Sequence, residues 1–110
     1  MQWVKITKLE NVPLREGRAV QVGHREIAIF HMPDGIKAVD NRCPHNQGPL
    51  CDGITTGGSV VCPLHGWKVC LDSGRVTRPD LPIKVRTYPV RVEDGVIQIQ
   101  VAREREEMVA

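Results

Sequence analysis

Two short segments of this chain each contain a cysteine and a histidine at close spacing. The first, CPHNQGPLCDG, carries Cys43 and His45, and the second, CPLHGWKVCLDSG, carries Cys62 and His65. Thiolate sulfur and imidazole nitrogen are both ligands for zinc and iron. Because each segment supplies one ligand of each type, the two cysteines can bind one iron and the two histidines a second. The pattern therefore favours a [2Fe–2S] cluster with mixed cysteine and histidine ligation.

Three other interpretations of these four residues are open. Zinc also accepts two cysteines and two histidines, but zinc modules usually place two ligands of one type together. Four cysteines in a short chain can form a disulfide framework, which would leave the two histidines without a role. The four residues could also be unrelated members of a core, although Pro and Gly residues surround both pairs.

The chain has the length of a single domain, residues 1–110, and its composition excludes several function classes. Its formal net charge is +2 with acidic and basic residues interspersed, so we expect no nucleic-acid partner, which would need a clustered basic face. No apolar run reaches the ~18 residues of a membrane span, and the alternating N-terminus MQWVKITKLE does not resemble a signal peptide. We expect a cytoplasmic protein, because the reducing cytosol keeps thiolates available for metal.

Alternating apolar residues and turn signals predict an all-β fold with no helix longer than a turn or two. The expected strands are Trp3–Thr7, Arg18–Val22, Arg25–His31, Ile36–Val39, Lys84–Glu93 and Val96–Val101. Val20 and Val22 alternate with polar residues, as do Ile27 and Ile29 with their neighbours, so each of these two strands should have one apolar face. Pro89 should interrupt its strand, and the charged tail AREREEMVA is expected to be frayed.

Residues 40–82 differ from the rest of the chain because they are dense in Gly, Pro, Cys and Asp. Since this segment lies between predicted hairpins and contains all four candidate ligands, we interpret it as a cluster-binding subdomain on a β scaffold. Gly66, directly after His65, is expected to let the backbone approach the cluster. Cys51 and Cys70 are interpreted as reduced thiols packed as small apolar residues, with a redox-sensing pair as the alternative.

The two motifs and the later TYPVRVEDGVIQIQV resemble the Rieske family of [2Fe–2S] proteins over nearly the whole chain. The resemblance implies an antiparallel β sandwich of small sheets with a cluster-binding subdomain at one end. It also implies one [2Fe–2S] cluster per chain, with Cys43 and Cys62 on the inner iron and His45 and His65 on the outer, more exposed iron. A proline-containing segment covers the cluster in that family. PDLP, residues 79–82, is the candidate here, and a simple turn is the alternative.

Departures from the family's high-potential members predict a low reduction potential. Those members carry an additional cysteine in each loop, and because Gly48 and Leu64 occupy these positions here, that disulfide cannot form. They also have a serine and a tyrosine whose hydroxyls donate to sulfur, at positions that Trp67 and Val69 occupy here. Since hydrogen bonds to sulfur stabilise the reduced cluster, their absence is typical of a ferredoxin-type member.

We expect a one-electron carrier without a catalytic site of its own, because the four ligands leave no open coordination position. The sequence around Trp67 most resembles the small subunit of assimilatory NAD(P)H nitrite reductase, whose partner would be a large flavin and sirohaem subunit. The alternative is a free ferredoxin between a ferredoxin reductase and the oxygenase of a ring-hydroxylating dioxygenase, and a structural zinc-binding module is the third interpretation. For either redox partner, Pro44, Pro63, Leu64 and Trp67 would form an apolar contact around the two histidines.

Overall fold

The structure is a computed structural model that describes residues 2–43, 48–64 and 66–101. Its strands are β1 (Gln2–Lys8), β2 (Gly17–Val22), β3 (Arg25–Met32), β4 (Gly35–Asp40), β5 (Ile54–Thr56), β6 (Ser59–Val61), β7 (Lys68–Cys70), β8 (Val76–Arg78), β9 (Thr87–Tyr88), β10 (Val90–Glu93) and β11 (Val96–Val101). Within the described ranges the helices are single 3-10 turns, at Leu9–Asn11 and Leu50–Asp52. The prediction of an all-β fold is confirmed. The two predicted histidine ligands, Pro44 and the predicted frayed tail lie outside the described residues.

The strands form three antiparallel sheets. The terminal sheet has the strand order β1-β11-β10, the central sheet β2-β3-β4-β9 and the distal sheet β5-β6-β7-β8. One group of buried side chains, the terminal core, includes residues of the terminal and central sheets, and a second group, the distal core, includes residues of the central and distal sheets. The central sheet therefore contributes to both cores.

Strand β3 contributes to both cores at once. Ile27 and Ile29 point into the terminal core, whereas Ala28, Phe30 and Met32 point into the distal core. The predicted single apolar face is therefore wrong for β3. The physical reason is that a strand covered by other layers on both sides is apolar on both faces. Strand β2 at the edge of the sheet keeps the predicted alternation between partly buried and exposed residues.

Pro89 marks the point where the chain passes from one sheet to another. Strand β9, just before it, pairs with β4 in the central sheet, and β10, just after it, pairs with β11 in the terminal sheet. The predicted interruption at Pro89 is confirmed. The predicted strand start at Lys84 is wrong, since the first ladder residue is Thr87. The backbone before Thr87 bonds instead to the turn between β7 and β8: Val85 donates its N–H to the Gly74 carbonyl oxygen at 2.8 Å.

The distal sheet lies within the segment interpreted as the cluster-binding subdomain, and its strands β5 to β8 were not predicted. Each has three residues, which is too short to show a clear alternation. Its start requires a glycine, because a Cβ atom on Gly53 would lie 2.3 Å from the Val61 carbonyl oxygen. The boundaries of the subdomain stay a prediction.

In the described part of the chain, no helix has the length and apolar character needed to cross a membrane.

Candidate metal centre

The first cysteine–histidine segment begins where β4 ends, and a buried asparagine fixes its base. Asn41 is 2% exposed and donates its backbone N–H to the Glu26 carbonyl oxygen at 3.0 Å. Its own carbonyl oxygen accepts from the backbone N–H of Leu50 at 3.1 Å, and its Oδ1 accepts from that of Cys51 at 2.7 Å. Because these bonds satisfy the backbone groups and the Oδ1 of Asn41, they hold both ends of the segment against the central sheet.

Cys43 closes this first loop. Its backbone N–H donates to the carbonyl oxygen of Gly48 at 2.9 Å, and Arg42 forms a β-bridge with Pro49 just outside that bond. The predicted ligand His45 falls between Cys43 and Gly48 in the sequence and is outside the described residues. The structure thus fixes the start and the end of the loop that carries it.

The second cysteine–histidine segment connects β6 to β7 and is closed in the same way. The backbone N–H of Cys62 donates to the carbonyl oxygen of Trp67 at 2.7 Å. Gly66 has φ +73, a backbone conformation that side chains rarely adopt, and it donates its N–H to the Cys62 carbonyl oxygen at 3.1 Å. This turn explains the glycine by itself, and the approach of Gly66 to a cluster stays a prediction. His65 is outside the described residues.

The two loops contact each other through Gly48. A Cβ atom on Gly48 would lie 2.9 Å from Leu64 Cδ1 and 3.2 Å from Cys62 Sγ. Both predicted cysteine ligands belong to the distal core, with Cys43 0% and Cys62 1% exposed. The structure therefore brings together the two segments that the sequence predicted would meet, although 18 residues lie between the two cysteines in the sequence.

The burial of Cys43 and Cys62 fits a cluster whose inner iron, shielded from solvent, has two thiolate ligands. None of the four cysteines, all of which lie in the described ranges, is in a disulfide, so the disulfide framework is not what the structure shows. Among the described residues no three His, Cys, Asp or Glu side chains group as a metal site, and the two remaining predicted ligands are not in that set. Two buried cysteines, one in each of two closed loops that touch, match the inner half of a mixed-ligand [2Fe–2S] site.

Trp67 and Val69, the positions where high-potential Rieske proteins are expected to carry a serine and a tyrosine, have no hydroxyl group. Val69 is fully buried in the distal core, and the Trp67 side chain is partly buried and packs against the same core. Trp67 is thus largely a packing residue. Leu64 of the second loop faces solvent, at 56% exposure, and Pro63 beside it is also exposed.

The PDLP segment starts beside the second loop. Strand β8 ends at Arg78, which pairs with Lys68, and Lys68 directly follows Trp67. The Arg78–Pro79 peptide bond is cis, and an ion pair of 2.6 Å from Arg75 to Asp80 holds the segment. Its position is compatible with the predicted covering of a cluster, which stays a prediction.

The two cysteines outside the ligand set are partly buried. Cys51 packs against the distal core, and burial raises the pKa of its thiol, which disfavours the reactive thiolate. A hydrogen bond with Ser73 lowers the pKa of the Cys70 thiol. Cys51 therefore packs as the predicted small apolar residue, whereas Cys70 lies in a more polar setting.

One group near the site was not predicted from the sequence. The Tyr88 hydroxyl donates to Asp40 Oδ1 at 2.5 Å, and Arg25 donates from its guanidinium to the same hydroxyl at 2.9 Å. Burial, and next the hydrogen bond to Asp40, raise the pKa of Tyr88 to about 12. Asp40 is three positions before Cys43, so this group supports the strand from which the first loop leaves.

Comparison with known proteins identifies the fold and the kind of site. Residues 2–100 match the family of Rieske-like [2Fe–2S] domains. The 4β-methylsterol monooxygenase of Methylococcus capsulatus is 39% identical over 95 residues, which cover 76% of this chain and 25% of that protein. This chain therefore spans about a quarter of that relative.

A second relative and a solved structure match over all or nearly all of their lengths. The 3-phenylpropionate/cinnamic acid dioxygenase ferredoxin subunit of Photorhabdus laumondii is 34% identical over 107 residues, covering 96% of this chain and 100% of that protein. A Mycobacterium tuberculosis protein, provisionally named as the small subunit of an NADH-dependent nitrite reductase, superposes with a TM-score of 0.82 at 26% identity. That match covers 93% of this chain and 97% of the other.

Proposed function

This chain belongs to the family of Rieske-like [2Fe–2S] domains, and we propose that it is a one-electron carrier serving larger redox proteins. Its [2Fe–2S] cluster supplies a centre that accepts and returns one electron. The observation that carries the proposal is the burial of Cys43 and Cys62 in two loops that touch each other. A cytoplasmic location is part of the proposal, since reducing conditions keep the thiolates available.

We assign Cys43 and Cys62 as ligands of the inner iron, and His45 and His65 as ligands of the outer iron. The burial of both cysteines supports the first half of this assignment. Each cysteine is also held by a backbone hydrogen bond across its own loop. Such supporting contacts keep ligands in one geometry, which suits a site that changes its charge by one electron.

The electron acceptor that we propose is the oxygenase of a ring-hydroxylating system, which this chain would serve as a ferredoxin. The support is the 34% identity to a dioxygenase ferredoxin subunit over its full length. The relative mentioned above at 39% identity is itself named a monooxygenase. In this setting a flavin-containing ferredoxin reductase would be the donor.

A second candidate is the small subunit of an assimilatory NAD(P)H nitrite reductase, beside a large flavin and sirohaem subunit. Two observations favour it. The chain superposes with a TM-score of 0.82 on the Mycobacterium tuberculosis protein, and Trp67 follows the second loop in the manner that the sequence analysis associated with this subunit. In both settings Pro63 and Leu64, which are exposed, would lie in the contact with the partner.

Purified protein tests the carrier proposal. We expect a red-brown protein with about two irons and two sulfides per chain, and a reduced electron paramagnetic resonance signal with average g below 2, since histidine ligation distinguishes this cluster type. A colourless protein with one zinc would refute the proposal and support the zinc module.

A turnover assay decides between the two settings. The chain is added to a reductase–oxygenase pair with an aromatic substrate, and separately to a nitrite reductase large subunit with NAD(P)H and nitrite. We expect the chain to restore aromatic hydroxylation, with His65→Ala as the inactive control. Restoration of nitrite reduction alone would establish the second setting and leave the carrier function standing.

A further inference from the structure

The outer face of the distal sheet carries a row of side chains along the edge nearest the second loop. The strand register aligns Ile54 with Val61, Val61 with Lys68, and Lys68 with Arg78. Directly opposed residues of antiparallel strands lie on the same face. The register of the β7–β8 pair shifts by one residue between Lys68 and Val69, and Arg78 is exposed. The next row, which includes Val60, Val69 and Val76, is fully buried in the distal core, so this first row faces away from the core.

Two positive charges lie side by side in this row. Lys68 and Arg78 are Cα partners across the β7–β8 pair, and like charges directly opposite each other destabilise a sheet. The carboxylate closest to Arg78 in sequence, Asp80, is already bound to Arg75 at 2.6 Å. Within the described residues, the ion pairs of the protein join other side chains and do not include Lys68 or Arg78. The pair is thus a local excess of positive charge.

Apolar side chains continue the same edge. Ile54 is 75% exposed and Leu64 56% exposed, and these are the two most exposed large apolar side chains in the described part of the chain. Ile54 begins the row, and Leu64 belongs to the loop that joins its two middle strands. Exposed apolar area lies at one end of the row and positive charge at the other, and an exposed apolar patch bordered by polar groups is typical of a contact surface.

We propose that these five residues, Ile54, Val61, Leu64, Lys68 and Arg78, form a docking surface for a redox partner that presents carboxylates; we call it the loop-edge surface. This inference rests on the proposed carrier function and specifies its partner. A carboxylate cluster on the partner would separate and neutralise the two opposed cations, while Ile54 and Leu64 contact apolar atoms. Complementary charge raises the rate of encounter and sets the orientation of docking. The surface adjoins the loop that carries His65, so docking there places the partner beside the proposed outer iron.

A pair of matched variants separates this surface from the overall charge. Lys68→Gln with Arg78→Gln removes two positive charges from the loop-edge surface. Lys5→Gln with Lys8→Gln removes two from exposed positions on β1 of the terminal sheet. Each double variant lowers the formal net charge from +2 to 0. A difference in rate or affinity between the two variants therefore reflects where the charges lie and not the net charge.

The first measurement uses two small oxidants of opposite charge. Reduced protein is mixed in a stopped-flow instrument with ferricyanide, an anion, or with hexaamminecobalt(III), a cation. We expect the Lys68/Arg78 variant to lower the ferricyanide rate by roughly tenfold at low ionic strength and by less than about twofold near 0.5 M salt. Its rate with the cation should rise, and the Lys5/Lys8 variant should change neither rate by more than about twofold.

The second measurement is of binding and does not depend on electron flow. Calorimetric titration gives the dissociation constant of the chain with the oxygenase, and separately with the nitrite reductase large subunit, at low and at high salt. We expect the partner that turns over to bind the Lys68/Arg78 variant about tenfold more weakly at low salt, and to bind Ile54→Ser more weakly at both salt concentrations.

Equal effects of the two double variants in both measurements would overturn the inference and leave the carrier function intact. A chain that carries no reducible cluster would instead refute the carrier function. In that case the binding measurement alone decides the docking inference, and unchanged affinity of the Lys68/Arg78 variant for both partners rejects it.

Discussion

Gly48 of the first loop lies directly against Leu64 of the second, and a Cβ atom on Gly48 would be 2.9 Å from Leu64 Cδ1. These are the two positions that the sequence comparison identified with the additional cysteines of high-potential Rieske proteins. The same place in the fold thus holds a van der Waals contact between a glycine and a leucine. Because Cys62 Sγ lies close by, at 3.2 Å from that Cβ position, the spacing of the loops depends on the absence of a side chain at residue 48.

The first prediction follows from this contact. Gly48→Ala should displace the exposed Leu64 side chain and crowd the buried Cys62 Sγ. It should destabilise the protein by about 1 kcal/mol, at the lower end of the cost of overpacking, and lower the iron and sulfide content per chain. The matched control is Gly58→Ala, because a Cβ atom on Gly58 would meet nothing within 4 Å. Leu64→Ala added to Gly48→Ala should recover part of the loss. Equal iron contents in the Gly48 and Gly58 variants would show that the loops do not need this contact.

The second prediction concerns the ligand set. Cys43→Ser, Cys62→Ser, His45→Ala and His65→Ala should each lose most of the iron, and the loss should lower the melting temperature, because metal binding and folding are coupled. Cys51→Ala and Cys70→Ala are the controls and should keep the cluster. Iron analysis and the visible spectrum measure both outcomes, and retention of iron by a His45 variant together with its loss from a Cys51 variant would reject the ligand assignment.

The third prediction is a reduction potential near the low end of the Rieske range, roughly −150 mV. The reason is that Trp67 and Val69 have no hydroxyl group, so neither residue can donate a hydroxyl hydrogen bond to sulfur. Voltammetry at neutral pH measures the potential directly. A value above about +100 mV would contradict the hydrogen-bond argument, and Trp67→Ser tests whether a hydroxyl at this position raises the potential.

The sequence predicted that the two cysteine–histidine segments would meet, because ligand type and spacing are local properties of the chain; the ligand set itself stays a prediction. Cys43 and Cys62 are buried in contacting loops, as the paired motifs required. The contacts that support those loops join residues far apart in the sequence. Tyr88 and Asp40 are 48 positions apart, and neither has a neighbouring sequence that indicates the other. A network whose members meet only when β3, β4 and β9 lie side by side in the central sheet leaves no pattern along the chain.

The sequence likewise predicted the long strands of the fold but not the short strands of the distal sheet. Long strands with a clear alternation, such as β1 and β11, were found in place, because their period is visible in one segment. The run IAIF in β3 contains Ile27, Ala28, Ile29 and Phe30, and it is compatible with one covered face or with two. The choice depends on the distal sheet, whose three-residue strands the sequence did not reveal.

The last prediction is a loss of stability at high pH that depends on Tyr88. Burial and the bond to Asp40 raise the pKa of this hydroxyl to about 12, whereas an unperturbed tyrosine titrates near pH ~10. Since the folded-state pKa is the higher one, the contribution to stability is fully present below pH ~10 and is lost as the pH rises towards 12.

Tyr88 is the only tyrosine in the chain, so the ultraviolet difference absorbance of tyrosinate reports its titration alone. Lys37, whose pKa is raised mainly by its hydrogen bond with Asp72, loses stabilisation over the same alkaline range and is therefore a second source of the pH dependence. Denaturant unfolding of Tyr88→Phe separates the two sources. The variant should be less stable at neutral pH, because Asp40 and Arg25 lose their shared partner, and its stability should fall less steeply above pH ~10. A tyrosine that titrates near pH ~10 in the folded protein, or an unchanged slope in the variant, would show that the Asp40–Tyr88 bond does not contribute in this way.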